Sequence, residues 1–460
     1  MVETKNSPQG RATFSKDWTK GSIIHNLLLL SYPIIILNGL WQVNQILEMI
    51  WVGKLGAASI AGVGIAGIII MLMITVRGGL SMGERAMVAR FIGMGDVAAA
   101  NHVASQAFVI SIAYGAVSAA IGILLTEPIF SIFGLEADAV TEGVAYLRIL
   151  LTGLVTEAFW ITSFTVMQAS GDSVTPMKVA IFIRSVNAVL CPFFVLGWWV
   201  FPRLGVSGAA IAYIIVMGVG VFISLWVLFT GHTRLQLTLK GFRPDFKIIW
   251  RMLKIGIPAS VMSLQRSFGN LVLTWFIAAF GTMAVAAHSL VSRIEMFILI
   301  PGMALGAGAG VLVGQNLGAG QPQRAERSAW LAVGIVGAFM LVCATVILLW
   351  AEVIIGVFTT EPELIDLGSI FLRIAAAGYL MMTLGSVLQH CIAGAGDTIP
   401  NMIVSIAMIW AVQLPLAFVL PRITDLGVYG IRWAMVASTF VGLVAYVSYF
   451  TLGKWKTKKV

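Results

Sequence analysis

A chain of 460 residues that is 59% hydrophobic and 11% charged, with a mean hydropathy of +0.95, is not a soluble domain, for which about 25% charged residues is ordinary. The net charge of +9 would point to nucleic acid in a soluble protein. Here most of the bases fall between apolar runs, where Lys and Arg set membrane orientation, so no nucleic-acid partner is expected.

Three cysteines, Cys191, Cys343 and Cys391, lie inside apolar runs with no CxxC or Cys/His spacing, which excludes a disulfide framework and gives no metal site. Neither a GxxxxGK[ST] phosphate loop nor HExxH occurs, and no paired acids or nucleophile with a base stands out, so an enzyme is not expected. Work done by such a chain must draw on a gradient or a partner.

The residues from Met1 to Lys20 are polar and basic, and the apolar run after them exceeds the roughly 7 to 15 residues of a cleavable signal. It reads as a retained first span. Hydropathy then breaks into about twelve runs of the length, about 20 apolar residues, that crosses a bilayer. They lie near 24–53, 58–90, 98–126, 137–168, 175–200, 205–230, 247–280, 284–315, 325–358, 363–393, 400–420 and 427–452. An even count puts both ends on one side. The basic segments (Lys5, Arg11, Lys16 and Lys20; Arg234, Lys240, Arg243 and Lys247; Arg324 and Arg327; Lys454, Lys456, Lys458 and Lys459) share that side, which the positive-inside rule makes cytoplasmic, in a multi-pass protein of the plasma (cell inner) membrane. Loops on the other side carry acids: Glu127, Glu136, Asp138 and Glu142, then Glu361, Glu363 and Asp366.

The chain also repeats itself. Pro33 and Pro258, Gly93 and Gly318, Arg148 and Arg373, and Gly171-Asp172 and Gly396-Asp397 are all 225 positions apart. GMGD (93–96) answers GAGQ (318–321), YLRI (146–149) answers FLRI (371–374), and SGDSVTPM (170–177) answers AGDTIPNM (395–402); LGVSG (204–208) recurs as LGVYG (426–430). Six spans per copy gives the halves one orientation and an axis along the membrane normal, one of the repeat plans of secondary transporters, in which the site lies between lobes and access alternates. The expected organisation is a tail at 1–22, a six-helix lobe at 23–230, a polar linker at 231–246 that serves as the hinge, a second lobe at 247–453 and a basic tail at 454–460. The fold class is all-α and polytopic, two pseudo-symmetric six-helix bundles around a central cleft.

The repeat separates structure from function. A residue matched in both halves serves what the lobes share, so Arg148 and Arg373 read as anchors and the Gly-Asp pairs as turns. Unmatched polar residues are the better functional candidates. Glu48 stands opposite Leu273 and Glu157 opposite Met382, while Arg184, Asn187 and Cys191 face apolar residues of the eleventh run. Arg266, opposite Trp41, is read as the unmatched charge of the second half, placed to line the cleft. A charge within a spanning helix costs at least a few kcal/mol, so such residues mark pathways and proton relays by default. Asn44 and Gln45 share a helical face with Glu48 by spacing, and Arg184, Asn187 and Cys191 fall on one stripe. The two stripes facing each other would form a hydrophilic pocket inside one lobe, with Arg184 either in it or snorkelling to the surface. A carboxylate there can hold a proton and release it when water enters. Charged, it can instead join neutral oxygens around Na⁺. The glycine-rich run PGMALGAGAGVLVGQNLGAG (301–320) reads as a closely packed helix, since no Lys-Ser/Thr follows to make a phosphate cradle.

With a proline-bearing first span ending in WVGKLG, then GMGD, SGDSVTP, GTMAVAAHSL and LVGQNLGAGQPQRAERSA, the chain resembles the multidrug and toxic compound extrusion (MATE) family over about residues 22–450. The resemblance implies a twelve-helix, two-lobe, cation-coupled exporter of amphipathic, often cationic compounds, with no cofactor beyond the coupling ion and acting as a monomer in the bilayer. Glu48 stands where that family usually has an aspartate on the first helix. Asn187 matches the asparagine of N-x-x-x-D-P, which here reads NAVLCP, so Cys191 replaces the aspartate of DinF-type members. Tyr213 occupies a position often held by threonine. The second-lobe acids of NorM-type members are replaced by Arg266 and Met382, so the acidic site is placed in the DinF-like manner, in the first lobe, and H⁺ is favoured over Na⁺. A flippase of a lipid-linked or amphipathic metabolite is the alternative.

Overall fold

A computed structural model describes residues 16–131, 137–198, 202–238 and 240–458; Lys5, Arg11, Glu136 and Lys459 lie outside the described residues. Among the described residues, twelve long helices carry the fold. In the first half they are α1 (Ile23–Gly53), α2 (Ala57–Gly93), α3 (Val97–Leu124), α4 (Ala137–Ser170), α5 (Val174–Leu196) and α6 (Gly205–Thr230). In the second they are α7 (Phe246–Ala278), α8 (Thr282–Gly318), α9 (Pro322–Gly356), α10 (Pro362–Gly394), α11 (Thr398–Ile423) and α12 (Val428–Thr451). No strand occurs among the described residues. Eleven of the twelve are long and apolar enough to span a bilayer. The exception, α7, has 33 residues and is long enough, but its first turns carry Lys247, Arg251 and Lys254.

The repeat is visible in the local structure. Gly95 and Gly320 hold φ of 77° and 72°, left-handed values that glycine adopts without a Cβ penalty. The following helix is then started in two ways. In GMGD, Asp96 accepts the amide of Ala99 at 2.9 Å as an N-cap. In GAGQ, Gln321 makes no such bond and Pro322 supplies the preset φ of a first helical residue. The glycine-rich run is continuous helix at the end of α8, and Gly302 to Leu317 is buried except for Met303.

The two halves interlock at one end. Leu27 and Leu30 of α1 lie in a core cluster built from α8, α9 and α10, while Met252 and Ile255 of α7 lie in the core of α2 to α6. These pairs are 225 positions apart, so each half lends the first turns of its first helix to the other. Between them, Gly93 presses on the Gln315 carbonyl and Gly318 on that of Arg90, where an added Cβ would come within 2.0 and 2.1 Å. These contacts lie at the end carrying both chain termini. Toward the other end, Val43, Ile46 and Met71 of the first half and Phe268, Leu271 and Trp275 of the second are exposed. The segments outside the spans are docked. In the connection between halves, the amide of Gln236 donates to Asn101 Oδ1 at 2.9 Å, Gln106 donates to the Arg243 carbonyl at 2.9 Å, and Leu235 and Leu237 are buried. At the C-terminus Trp455 is fully buried and stacked on Phe450.

Candidate functional site

Inside the first half, between α1, α2, α4 and α6, lies a cavity of about 380 Å³. Asn44, Gln45 and Glu48 reach it from α1, Tyr146 and Glu157 from α4, Arg184 from α5 and Tyr213 from α6. The wall between these groups is apolar, with Gly64 and Gly67 of α2 opening space where a side chain would stand.

Each acid has a tyrosine. Tyr146 Oη donates to Glu48 Oε1 at 2.7 Å, and Tyr213 Oη donates to Glu157 Oε2 at 2.8 Å. Glu157 is buried, whereas Glu48 is half-buried on the cavity wall. The Arg184 guanidinium is buried and lies 5.8 Å from the centre of the Tyr213 ring. It therefore faces the cavity and does not snorkel to the surface. Asn187 Nδ2 donates to Asn44 Oδ1 at 3.1 Å, tying the polar stripe of α5 to that of α1 and leaving Asn187 Oδ1 buried without a partner among the described residues. A buried acceptor of this kind costs about 1 to 3 kcal/mol, a cost that a site able to receive a donor or a cation offsets.

Of the residues singled out in the sequence, Glu48, Asn44, Gln45, Glu157, Arg184 and Tyr213 meet at this cavity, and Asn187 meets it through Asn44. Cys191 does not line it. The thiol is buried in the neighbouring core with Val195 and Leu147. Arg266 lies elsewhere, in a methionine-rich cavity of about 190 Å³ lined mostly by the second half, with Met82 of α2 reaching it from the first, where its guanidinium donates to Gln389 Oε1 at 3.5 Å.

Three polar units were missed. Tyr146 lies in YLRI, which matches FLRI and so looked structural; the hydroxyl by which Tyr146 differs from Phe371 is the group that meets Glu48. Arg266 is also not alone as an unmatched charge of the second half. Glu295, opposite Ile70, pairs with buried Arg432 at 3.0 Å and accepts from Tyr379 Oη at 2.8 Å, and its position off the repeat was the available signal. On α2, Arg77 and Glu84 form a fully buried pair at 2.9 Å, with Arg77 also donating to Ser111 at 3.1 Å. Seven residues apart, they share a helical face.

Among the described residues, twelve long helices in two halves that interlock at one end, with a polar cavity sunk in one half, define a two-lobe helical membrane protein. The MatE family pattern matches residues 33–193 and 258–419, one match in each half, and the chain belongs to that family, whose members are transporters and not enzymes. Its relatives include the "Probable multidrug resistance protein YoeA" of Bacillus subtilis, 25% identical over 96% of both chains. Another is the "FAD transporter" of Shewanella oneidensis, 24% identical over 87% of this chain and 88% of that one. Among solved structures, a MOP superfamily transporter from Pyrococcus furiosus shares the fold at a TM-score of 0.89, with 23% identity over 96% of this chain and 98% of that one. A multidrug resistance MATE transporter in an outward-facing conformation is similar at a TM-score of 0.85, 26% identity, and 95% and 96% coverage.

Proposed function

We propose that this protein exports amphipathic, cationic drugs or toxic organic compounds in exchange for an inward cation, with Glu48 as the coupling carboxylate. The supporting observation is that two acids, each held by one tyrosine hydroxyl, share a single cavity of about 380 Å³ within one lobe. An acid with one neutral donor and no base bonded to it can change protonation without breaking an ion pair, which is what a proton-coupled carrier requires. H⁺ is favoured over Na⁺ because the replacement of an acid by Cys191, buried off the cavity, removes a hard oxygen ligand, and the Arg184 guanidinium in the same cavity repels a metal cation. The interlock at the end carrying the termini supports alternating access by rocking of two lobes. The lysines and arginines at that end support a cytoplasmic location for it in a plasma-membrane protein.

The test is efflux of ethidium from cells or inverted vesicles under an imposed pH or Na⁺ gradient. Glu48→Gln is expected to abolish gradient-driven efflux while leaving the protein in the membrane. Efflux equal to wild type at every pH would remove Glu48 from the coupling role.

A second reading, export of an amphipathic anionic metabolite, is favoured by Arg184 in the first-lobe cavity and Arg266 in the second, and by the printed name of the Shewanella relative. FAD run beside ethidium in the same assay separates the two.

A further inference from the structure

Where α7 meets the turn between α10 and α11, on the face that carries the chain ends, lies a second polar cavity of about 480 Å³. Arg251 and Lys254, one turn apart on α7, line it with Lys458 from the C-terminal segment. The one acid among the described residues of its wall, Asp397, is already engaged. Lys458 Nζ lies 3.0 Å from Asp397 Oδ1, and the Tyr449 hydroxyl donates to Oδ2. Three cations against one acid leave the wall with two positive charges in excess. The first turn of α11 opens onto the same space through Thr398 and Ile399, and the Asp397 side chain caps none of its amides. That helix end adds partial positive charge, and its N–H groups suit an anion.

The repeat shows that this basic pocket is not part of the shared fold. The positions matching Arg251 and Lys254 are Asn26 and Leu29. The turn matching Gly396 is Gly171, and the indole of Trp18 is packed against it. The first half fills the space with an aromatic ring, and the second half leaves it open and charged. Beside it on α7, Phe246 and Trp250 are exposed, and Lys254 Nζ lies 5.9 Å from the Trp250 ring. Exposed aromatics at a span end mark the bilayer interface, so the pocket lies at headgroup depth.

We propose that this pocket binds the phosphate of an anionic lipid headgroup in the leaflet on the side of the chain termini. Basic pockets between spans at that depth recognise such headgroups, each Lys or Arg contributing comparably. Occupancy also has a structural consequence. Arg90 of α2, in the first lobe, donates to the carbonyl of Lys458 at 3.2 Å. A lipid that orders Lys458 therefore braces the two lobes where they interlock.

The full-length protein in phosphatidylcholine micelles, titrated with phosphatidylglycerol and followed by native mass spectrometry, tests this. Arg251→Gln with Lys254→Gln is expected to weaken phosphatidylglycerol binding about 30-fold, while Lys240→Gln with Arg327→Gln, the same loss of charge elsewhere on that face, leaves it unchanged. Equal loss in both double variants, or loss in neither, overturns the proposal. So does binding of glycerol 3-phosphate by the wild type as tight as that of phosphatidylglycerol, since the ligand would then be a soluble phosphate. If the thermal midpoint in phosphatidylcholine alone shows that the α7 variant has not folded, Lys458→Gln carries the same test from the chain end, with weakened binding expected and unchanged binding overturning the assignment.

Discussion

The two lobes share a backbone plan and differ in how they hold charge. In the first, Glu48 and Glu157 line an open cavity of about 380 Å³, with tyrosine hydroxyls as partners and the Arg184 guanidinium 5.8 Å from the centre of the Tyr213 ring. In the second, the matching positions are Leu273, fully buried, and Met382. Its acid comes from a different helix: Glu295 of α8 is locked by Arg432 and Tyr379 beside a space of about 50 Å³. The segment of α5 bearing Arg184 and Asn187 is regular helix, while its counterpart in α11, Ala407–Gln413, widens into a π-helix. One scaffold thus lines a cavity with acids bonded to tyrosine hydroxyls in one copy and holds an acid by a base and a tyrosine together in the other.

Three experiments press on that contrast. The largest effect belongs to the locked acid. Arg432→Met leaves Glu295 largely buried without its base and is expected to cost about 3–5 kcal/mol of stability, whereas Arg432→Met combined with Glu295→Gln recovers most of it. Thermal unfolding in detergent reads both, and a single variant as stable as wild type would show that the second-lobe pair is not what fixes that acid. Next comes Tyr146→Phe, which gives the first lobe the residue of the second, Phe371. The lost bond is expected to cost about 0.5–1.5 kcal/mol where Glu48 is protonated and about 1.5–3 kcal/mol where it is ionised. The ionised form holds the donor more strongly, so the penalty should grow as pH rises, with slower gradient-driven efflux alongside. A penalty flat across pH would mean that Glu48 does not change its proton in that range.

How much of this was legible follows from the same repeat. The two-lobe helical fold was readable because hydropathy and the 225-residue offset are each carried by many residues at once. Glu48, Glu157, Arg184 and Asn187 were readable because a charge or amide in an apolar run has no cheap structural explanation. What escaped was set by side-chain direction and helix rotation. Cys191 shares a stripe with Asn187 by spacing, yet the packing of α5 on α6 puts the thiol in the core with Val206, Ala209 and Ala210. Tyr146 hid inside a matched word, because comparing residue types hides a difference of one oxygen. Glu84 and Arg77 look like isolated charges in sequence and become a pair only once α2 is a helix.

The smallest expected effect tests the logic of matching itself. Arg148 pairs with Glu127 at 2.7 Å and Arg373 with Glu352 at 3.1 Å, two ion pairs whose members are each 225 positions apart. Both are largely exposed, where such pairs contribute about 0.2–1 kcal/mol. If a matched residue serves the shared fold, Arg148→Gln and Arg373→Gln should lower the thermal midpoint slightly and by the same amount, and neither should alter the ion dependence of efflux. A change in coupling from Arg148→Gln alone would mean that the functional asymmetry between the lobes extends beyond the cavity to the rim of the first lobe, and that a match in sequence does not by itself mark a residue as structural.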